Sequence, residues 1–379
     1  MINTIETLKS SPLFNLSLSS KELFHSNFLY WVGVNYPNEF GEFFAKYLNE
    51  KPSKTCIIEI FREKNNIDIS FKYSNNQELL IENKVKSIPS IKQLEDYSKK
   101  HTDGRNYILL SLSEPTFFQS NKTIKIGNAS WHYLSYSNLK DLFKEIIGKT
   151  ENNYHKLIIE DYQLFIDALI KINQYSEFKE KEVFDFHSLE SNQIYKSLKD
   201  IRLHDFYLKK KYELFAYNVY ERLKDLEKNI IDFGQKLNWK NDSPVIVMGS
   251  GMTNGSGLMD MKYLISKDFT LGVQIQGDSY RMVAEDNNGE IAKKVKENLE
   301  NNGLWFDFNR SFPNEKNIYP KPPKKFNRFK DGFKREVFFY KSVKLGTNRT
   351  IDEITDIILE DVEHIETNIS DIQKIIKLA

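Results

Sequence analysis

The sequence predicts a mixed α/β (α+β) protein, with a central mixed sheet flanked by helices and a second, C-terminal α+β domain. Two observations support this prediction. In the first half of the chain, short runs with period-two alternation of apolar and polar residues lie between segments with helical apolar spacing. From residue 245 onward, closely spaced strand patterns precede a long helical segment. Strands flanked by helices in the first pattern are typical of a sheet covered by helices.

The elements are predicted in the following order. Residues 5–50 are helical, because aromatic and aliphatic residues recur there at helical spacing. The remaining elements of the N-terminal part are strands at 55–63, 66–73 and 78–86, a helix at 90–100, strands at 107–112 and 131–135, and helices at 139–147 and 154–175. Residues 177–235 are predicted to be helical, followed by strands at 245–248, 258–265, 270–277 and 279–284, a helix at 290–301, a strand at 335–344 and a helix at 351–378.

These elements predict three regions. Residues 1–175 form the core domain, residues 176–240 a helical connector, and residues 241–379 a C-terminal α+β domain that binds substrate or a partner. A length of 379 residues is sufficient for two domains.

Composition limits the class of protein. Cys56 is the only cysteine, which excludes disulfides and thiolate zinc sites within one chain. The net charge of +1 is not that of a dedicated nucleic-acid coat protein, although basic residues concentrated on one face would still permit binding. No apolar stretch approaches the ~20 residues of a membrane span, and the N-terminus has no signal-peptide pattern. We therefore expect a cytoplasmic protein that does not contact a membrane.

Three charged residues are predicted to converge on one face of a hairpin. Asp68 alternates with Ile67 and Ile69, so its side chain leaves the apolar face of its strand. Glu82 and Lys84 are neighbours on one side of the next strand, and the turn-like stretch 75–77 would bring that strand beside Asp68. Two carboxylates and an ammonium in one place are typical of a site for a hard metal ion with a charged helper.

This arrangement resembles the signature of the PD-(D/E)xK nuclease superfamily. Asp68 matches its first acid, Glu82-Asn83-Lys84 its (D/E)-x-K, and Gln93 with Tyr97 a helical Q-xxx-Y. The segment 21–31, Lys-Glu-Leu-Phe-His-Ser-Asn-Phe-Leu-Tyr-Trp, is similar to the E-xx-H-S-x-F-L-x-W helix of one uncharacterised bacterial branch, which makes Glu22 a further candidate. The resemblance covers roughly residues 20–135 and implies a restriction-endonuclease-like core.

The resemblance also implies roles for these residues. Asp68, Glu82 and the backbone carbonyl of Asn83 would hold Mg²⁺ or Mn²⁺, which prefer oxygen ligands. Lys84 would orient or help to deprotonate the attacking water, or neutralise the developing oxyanions. Gln93 would position the lysine or the nucleophile, and Glu22 would hold the metal through a water.

Other interpretations of these residues remain open. Acidic and basic residues on strands are common on the solvent face of an antiparallel sheet. Glu22 would also fit a capping box with Ser19 or Ser20. His25 is expected to pack or hydrogen-bond near the site, and not to act as the base.

Two segments of the C-terminal part have functional and structural interpretations. The glycine-rich stretch 249–257 lacks the Gly-Lys-Ser/Thr ending of a Walker loop, so a hairpin tip is favoured over a phosphate loop. The basic-aromatic segment 319–335 interleaves cations for phosphates with rings for bases; its candidate substrate-binding residues are Lys324, Lys325, Arg328, Phe326 and Phe329. A solvated loop before an edge strand would have the same composition.

The sequence therefore predicts a metal-dependent nuclease that hydrolyses phosphodiester bonds. DNA is favoured over RNA, and a role in phage defence or restriction is expected from the resemblance. The expected partner is nucleic acid, with a homodimer or a defence-system partner protein also open. The alternative is a non-catalytic nucleic-acid-binding or protein-interaction module on the same fold. A glycosidase-type hydrolase would also use paired carboxylates, but it has no need of the strand lysine.

Overall fold

The computed structural model divides the chain into two compact units. The first unit comprises Met1–Glu177 and Gln193–Lys210, and the second comprises Phe178–Asn192 and Lys211–Ala379. The structure describes every residue except 19–21, 49–51, 53, 65, 101–105, 119–120, 128, 178–180, 185–192, 231–244, 287–291, 313–323, 331–333, 347 and 379; for 292–294, 324–330, 334–337 and 378 it describes the backbone alone.

The first unit combines helices with a single sheet among its described residues. In chain order its elements are α1 (Ile2–Ser10), α2 (Pro12–Ser17), α3 (Glu22–Asn35), α4 (Pro37–Ala45), β1 (Ile57–Lys64), β2 (Ile67–Tyr73), β3 (Glu78–Lys84), α5 (Ile91–Lys100), β4 (Asn106–Ser111), β5 (Thr123–Ile126), β6 (Ala129–Ser135), α6 (Leu139–Lys149), α7 (Asn153–Gln174) and α8 (Gln193–Asp200). Helix α9 (His204–Asp225) begins in the first unit and ends in the second.

The sheet of the first unit is mixed. Its described strands follow the order β1-β2-β3-β4-β6-β5. Strand β4 runs parallel to both neighbours, whereas the β1–β2, β2–β3 and β5–β6 pairs are antiparallel. All six residues of β4 are buried, as expected of a continuous apolar run at the centre of a sheet. The predicted central mixed sheet flanked by helices is confirmed.

Helices cover both faces of this sheet. On one face Leu94 of α5 packs against Leu80 of β3 and Trp131 of β6, and all three are buried. On the other face the rings of Phe40 and Phe44 on α4 lie 5.5 and 5.6 Å from the ring of Phe71 on β2. The sheet is therefore enclosed on both sides, and a polar side chain pointing from it must find a partner or an opening.

A glycine permits α4 to lie directly against the chain that enters β1. A Cβ atom on Gly41 would lie 1.9 Å from the backbone carbonyl oxygen of Thr55. The Gly41 carbonyl also accepts a 2.9 Å hydrogen bond from the hydroxyl of Tyr73 at the end of β2. The helix is thus held to the sheet by a contact that no larger residue allows.

The second unit contains a separate sheet and its own helices. Beyond α9 its elements are β7 (Val245–Thr253), β8 (Ser256–Leu264), β9 (Phe269–Gln276), β10 (Ser279–Asp286), α10 (Ala292–Asn301), α11 (Phe308–Ser311), β11 (Lys324–Lys330), β12 (Lys334–Lys344), α12 (Ile351–Thr367) and α13 (Ile369–Leu378). This sheet is antiparallel throughout its described pairs, in the order β11-β12-β10-β9-β8-β7.

One face of the second sheet carries the core of its unit. Alternate residues of the central strands, such as Met261, Val273 and Met282, are fully buried in one cluster with residues of α9 and α12. The opposite face carries polar and aromatic side chains, among them Gln274 and Arg281. The predicted α+β character of the C-terminal domain is confirmed.

The glycine-rich stretch is a hairpin tip, as predicted. Strands β7 and β8 are joined by Asn254 and Gly255, and both have positive φ, at 50° and 75°. A two-residue turn with two positive φ angles is typical of a type I′ hairpin, in which Asn-Gly is the preferred pair.

Several segments differ from the sequence prediction, and β5 and α11 have no counterpart in it. Within 177–235 the described helices are α8 and α9, while Val183 forms a β-bridge with Thr350. The C-terminal helix is broken at Asn368, whose amide side chain donates to the His364 carbonyl oxygen and so ends α12. Residues 324–330 form a strand, because β12 offers an edge with which their backbone can pair.

None of the described helices is both long and apolar enough to cross a lipid bilayer.

The same glycine-to-alanine change is expected to have opposite effects in two helices of the first unit. Gly41→Ala in α4 should destabilise the unit by about 1–3 kcal/mol, because the new methyl group overlaps the Thr55 backbone. Gly148→Ala in α6 has nothing within 4 Å of the new atom, so it should stabilise the unit by up to about 1 kcal/mol. Urea unfolding of both variants measures the difference; equal stabilities would contradict the close contact at Gly41.

Candidate active site

Strands β2 and β3 part where the two predicted acids lie. The backbone pairing between them stops at Ile69 and Ile81, one residue before Asp68 and Glu82 would stand opposite each other. The Asn83 N–H donates instead to Asp68 Oδ2, at 2.7 Å. Because opposed residues of an antiparallel pair share a face, Asp68, Glu82 and the lysine two residues on leave the sheet on the same side.

Glu82 is the most heavily bonded of these side chains. It is 1% exposed, and its Oε1 accepts from Lys84 Nζ at 2.6 Å, from Gln93 Nε2 at 3.0 Å and from the Tyr97 hydroxyl at 3.2 Å. Its second oxygen, Oε2, is buried and has no hydrogen-bond partner among the described residues. One carboxylate oxygen is thus fixed by three donors while the other remains available.

The Q-xxx-Y pair of α5 acts as one unit. Gln93 and Tyr97 lie one helical turn apart, and Gln93 Nε2 is also 3.0 Å from the Tyr97 hydroxyl. Ser90 supports the start of this helix by accepting from the Gln93 backbone N–H. Both side chains therefore orient Glu82, which differs from the predicted role of Gln93 in positioning the lysine or the nucleophile.

Lys84 carries the positive charge of the cluster. Burial alone would lower the pKa of its ammonium, but the carboxylates of Glu82, Asp68 and Glu22 together raise that pKa above its ordinary value. The side chain is therefore protonated at neutral pH. In this state the Lys84 side chain carries a positive charge and donates hydrogen bonds, and it cannot accept a proton.

The two acids are perturbed in the opposite sense from ordinary surface carboxylates. Burial, and next the negative charge of Asp68, raise the pKa of Glu82 to about 7 in spite of the opposing effect of Lys84. Burial is also the main cause that raises the pKa of Asp68, while the Asn83 N–H and Lys84 oppose it. One ammonium does not compensate two buried carboxylates, so the cluster is short of positive charge.

Glu22 clamps the end of β3. Its two carboxylate oxygens accept from the backbone N–H groups of Val85 and Lys86, at 2.6 and 2.7 Å. Glu22 is the first residue of α3, so the helix start is tied to the strand end directly after Lys84. Its carboxylate thus bonds to the strand, whereas a capping box would direct it to its own helix; Ser19 and Ser20 lie outside the described residues.

Asn83, the middle residue of Glu-x-Lys, is anchored on the opposite face of the sheet. Its Nδ2 donates to Ser26 Oγ at 3.0 Å, and its Oδ1 accepts from the Tyr136 hydroxyl at 2.5 Å. Asn83 and Ser26 are fully buried. Neutral hydrogen bonds on the opposite face of the sheet therefore fix the strand segment that carries Glu82 and Lys84.

His25 belongs to this supporting layer and not to the charged face. It is fully buried, and its Nδ1 lies 3.0 Å from the Tyr162 hydroxyl. Burial, assisted by the positive charge of Lys86, lowers the pKa of the imidazole well below its ordinary value. His25 is therefore neutral and packed, so the structure gives it no access to a substrate.

The donor set on the charged face fits a hard divalent cation. Glu82 Oε2 is an unpartnered buried carboxylate oxygen, and Asp68 Oδ1 accepts no hydrogen bond from the described residues. The Lys84 carbonyl accepts from the Leu112 N–H on the β4 side. Because successive carbonyls alternate along a strand, the Asn83 carbonyl points to the opposite side, towards Asp68. Within the described part of the chain no group of three or more Asp, Glu, His or Cys side chains could hold a metal, so these two carboxylates would need backbone, water or phosphate oxygens beside them.

The predicted site residues divide into two sets. Asp68, Glu82, Lys84, Gln93 and Glu22 come together in the first unit. The side chains of Lys324, Lys325, Phe326, Arg328 and Phe329 lie outside the described part of the structure, which gives only the backbone of β11. Sequence reasoning missed Tyr136 and Tyr162, because they follow the motif by more than fifty residues and only the fold brings them to Asn83 and His25.

The raised pKa of Glu82 predicts that ionisation of this carboxyl lowers the folding stability as the pH rises. The folded chain binds the Glu82 proton more tightly than the unfolded chain, so stability is highest below about pH 4.5 and falls as the pH rises through about 7. Glu82→Gln should therefore stabilise the protein at pH 8 by up to about 3 kcal/mol, and the gain should vanish near pH 4. Urea unfolding at several pH values measures this. The exposed Glu59→Gln is the control, and an equal pH profile in both variants would contradict the burial of charge at Glu82.

Comparisons with known proteins agree with this geometry. The family model of the PD-(D/E)XK nuclease superfamily matches residues 13–164, a range that contains all the residues of the charged face. The comparison with curated proteins finds no match. Among solved structures, the chain is similar to the crystal structure of YbjN from E. coli at 9% identity and a TM-score of 0.21, over 42% of this chain and 90% of that chain; nothing is inferred from so low a score. The family match over residues 13–164 and the mixed sheet confirm the predicted resemblance to the PD-(D/E)XK nuclease superfamily and its restriction-endonuclease-like core.

Proposed function

We propose that the first unit is a metal-dependent nuclease that hydrolyses phosphodiester bonds, with DNA as the favoured substrate. The observation that carries the proposal is the unpartnered, buried Glu82 Oε2 beside Asp68, in a cluster with too little positive charge. A divalent cation would remove that deficit, and the superfamily match supports a nuclease over other uses of paired carboxylates.

Each residue has a distinct part in this proposal. Asp68, Glu82 and the Asn83 carbonyl would hold Mg²⁺ or Mn²⁺, which when bound lowers the pKa of a water and offsets charge on the phosphate. Lys84, protonated beside Glu82, would hold the attacking water and neutralise the oxyanion that develops on the phosphate. Gln93 and Tyr97 keep Glu82 Oε1 in place, so that Oε2 is directed to the ligand position.

The structure supports a positioning role for Glu22 in place of the water-mediated metal contact inferred from the resemblance. Its two oxygens are occupied by the Val85 and Lys86 N–H groups. A carboxylate that accepts two backbone N–H bonds fixes the direction in which β3 leaves the sheet, and with it the position of Lys84. Glu22 would thus act through Lys84, and not on the substrate.

Several finer points of the proposal rest on the family resemblance alone. These are the preference for DNA over RNA, a role in phage defence or restriction, and a homodimer or defence-system partner. The domain roles are proposals of the same kind, with residues 1–175 as the catalytic part and residues 241–379 as the part that selects substrate or partner. Incubation of the full chain with circular DNA, linear DNA and RNA, each in Mg²⁺, Mn²⁺ and EDTA, tests the activity and the substrate together.

The alternative is a non-catalytic binding module on the same fold. The intact set of Asp68, Glu82 and Lys84 favours the enzyme, because a binding protein gains nothing from two buried carboxylates that face an anionic ligand. Absence of cleavage in every arm of that experiment, with binding of nucleic acid retained, would favour the alternative.

Substitutions in the charged face should separate chemistry from metal binding. Lys84→Ala should abolish turnover and leave Mn²⁺ affinity nearly unchanged, since the ammonium acts on water and phosphate. Asp68→Ala should lose both. Calorimetric Mn²⁺ titration and a cleavage assay measure the two effects. Lys72→Ala, which removes an exposed ion pair of β2 with Glu59, is the control. Wild-type cleavage by Lys84→Ala would show that the Glu-x-Lys interpretation is wrong.

The basic-aromatic segment should govern binding and not chemistry. If Lys324, Lys325 and Arg328 contact phosphates, their joint replacement by alanine should flatten the dependence of log affinity on log salt by about 2–3 for duplex DNA. Replacement of Phe326 or Phe329 should cost about 1–3 kcal/mol if single-stranded bases stack there. Fluorescence anisotropy over a salt series in EDTA measures both. An unchanged slope in the triple variant would assign this segment a purely structural role.

A further inference from the structure

The outer face of the second sheet contains a groove that the proposed nuclease site does not use. Its volume is about 540 Å³, within the range of about 300–1,000 Å³ that is typical of small-ligand sites. Its walls come from β7, β8, β9, β10 and β12 and from the Asn254 turn, and its polar members include Gln274, Gln276 and Arg281. The groove lies on the face opposite the core residues Met261, Val273 and Met282.

Arg281 is the charge at the centre of this groove. Its Nη1 donates to Gln274 Oε1 at 3.0 Å, and the guanidinium carbon lies 4.6 Å from the centre of the Tyr340 ring. Its Nε is buried without a hydrogen-bond partner. Burial lowers the pKa of the guanidinium, with only the Tyr340 phenol opposing it.

No carboxylate among the described residues pairs with Arg281. Among the described side chains, the acids on the same face are Glu285 and Asp260, and both are near Lys262. The Lys262 ammonium lies 2.7 and 2.8 Å from the two Glu285 oxygens and 3.4 Å from Asp260 Oδ2. Glu285 is four residues from Arg281 along β10, or about 13 Å at strand spacing. A partly buried guanidinium that keeps most of its donors without a counter-charge is typical of an anion site, because buried charges are ordinarily paired.

The remaining walls add features that an isolated anion would not need. The rings of Phe338 and Tyr340 lie side by side on β12, with centres 5.7 Å apart. The amide of Gln274 is held by Arg281, and Gln276 Nε2 donates to the Thr253 carbonyl at 3.3 Å. Aromatic faces stack on bases, and oriented amides hydrogen-bond to base edges.

We propose that this groove binds a nucleotide, with its phosphate on Arg281 and its base against the partly exposed Tyr340. The backbone of β11 borders the groove, since its register sets Phe326 opposite Phe338 and Lys324 opposite Tyr340. The nucleotide is either a free mononucleotide or one residue of a single strand. The site lies within the second unit, so its occupation does not depend on whether the first unit cleaves nucleic acid.

The experiment is calorimetric titration of the full chain in EDTA, which prevents metal-dependent cleavage. The probes are the four nucleoside monophosphates, the four nucleosides, inorganic phosphate and a 5′-phosphorylated hexanucleotide. Monophosphates should bind more tightly than nucleosides or phosphate, and Arg281→Gln should weaken that binding about tenfold or more. Arg281→Lys keeps the charge without the planar fork, so it should lie between the two.

Two further variants sharpen the result. Arg222→Gln removes a guanidinium of the same unit that is paired with Asp356 outside the groove, and it should bind as the wild type does. Tyr340→Ala should weaken monophosphate binding and leave phosphate binding unchanged. Thermal unfolding of each variant without ligand establishes that it is folded.

Each outcome of the titrations either supports or overturns the proposed nucleotide site. Binding of monophosphates that depends on Arg281 supports a free nucleotide, and the same dependence with the hexanucleotide alone supports a strand. Absence of binding for every probe at millimolar concentration overturns the proposal. So does binding that is unchanged in folded Arg281→Gln, or phosphate that binds as tightly as the monophosphates. None of these results requires cleavage, so they stand apart from the test of the nuclease.

Discussion

The separation of β2 from β3 is the constraint on which the candidate site depends. While two antiparallel strands remain paired, each backbone N–H that faces the partner strand has a backbone acceptor. Here pairing stops at Ile69 and Ile81, and the Asp68 carboxylate takes over as the acceptor of the Asn83 N–H. A side chain that replaces a backbone group is held as firmly as the sheet itself. The same exchange opens the space into which Glu82 Oε2 projects.

The three residues of Glu-x-Lys serve the two faces of the sheet. The outer two, Glu82 and Lys84, carry charge on one face. Burial and the negative charge of Asp68 raise the pKa of Glu82, and the neighbouring carboxylates raise the pKa of Lys84 against the effect of burial. The middle one, Asn83, is bound on the other face by Ser26 and the Tyr136 hydroxyl. Neutral hydrogen bonds on one side thus support, on the other, a charged cluster in which Glu82 Oε2 has no partner among the described residues. This arrangement lets a rigid strand hold a group whose ionised form is costly to bury.

The sequence was sufficient for those parts of the fold and site that depend on local pattern. Period-two alternation identified β2 and β3 and set Asp68, Glu82 and Lys84 on one face. Helical spacing placed Gln93 and Tyr97 one turn apart. Two elements were not predicted correctly: β11 forms because β12 offers an edge, and the C-terminal helix ends at Asn368, whose amide donates to the His364 carbonyl. Tyr136 and Tyr162 could not be identified from spacing, since no periodicity relates them to β3. The groove around Arg281 is formed by residues of five strands, so it could not be identified from local pattern either.

The anchoring of Asn83 has a consequence for how such a chain can change over time. Loss of the Ser26 hydroxyl would leave a buried amide N–H of Asn83 without its acceptor. Loss of Asn83 would leave the Ser26 hydroxyl without this donor and the Tyr136 hydroxyl without its acceptor. Either step alone costs about 1–3 kcal/mol, a large fraction of the stability of an ordinary domain. Replacement of both partners by apolar groups of matching shape is nearly neutral. A lineage that drifts at the middle letter of the motif must therefore pass through a less stable ancestor or change α3 and β3 together. Asn83, the middle residue of Glu-x-Lys, therefore depends on Ser26, its hydrogen-bond acceptor fifty-seven residues away in the chain.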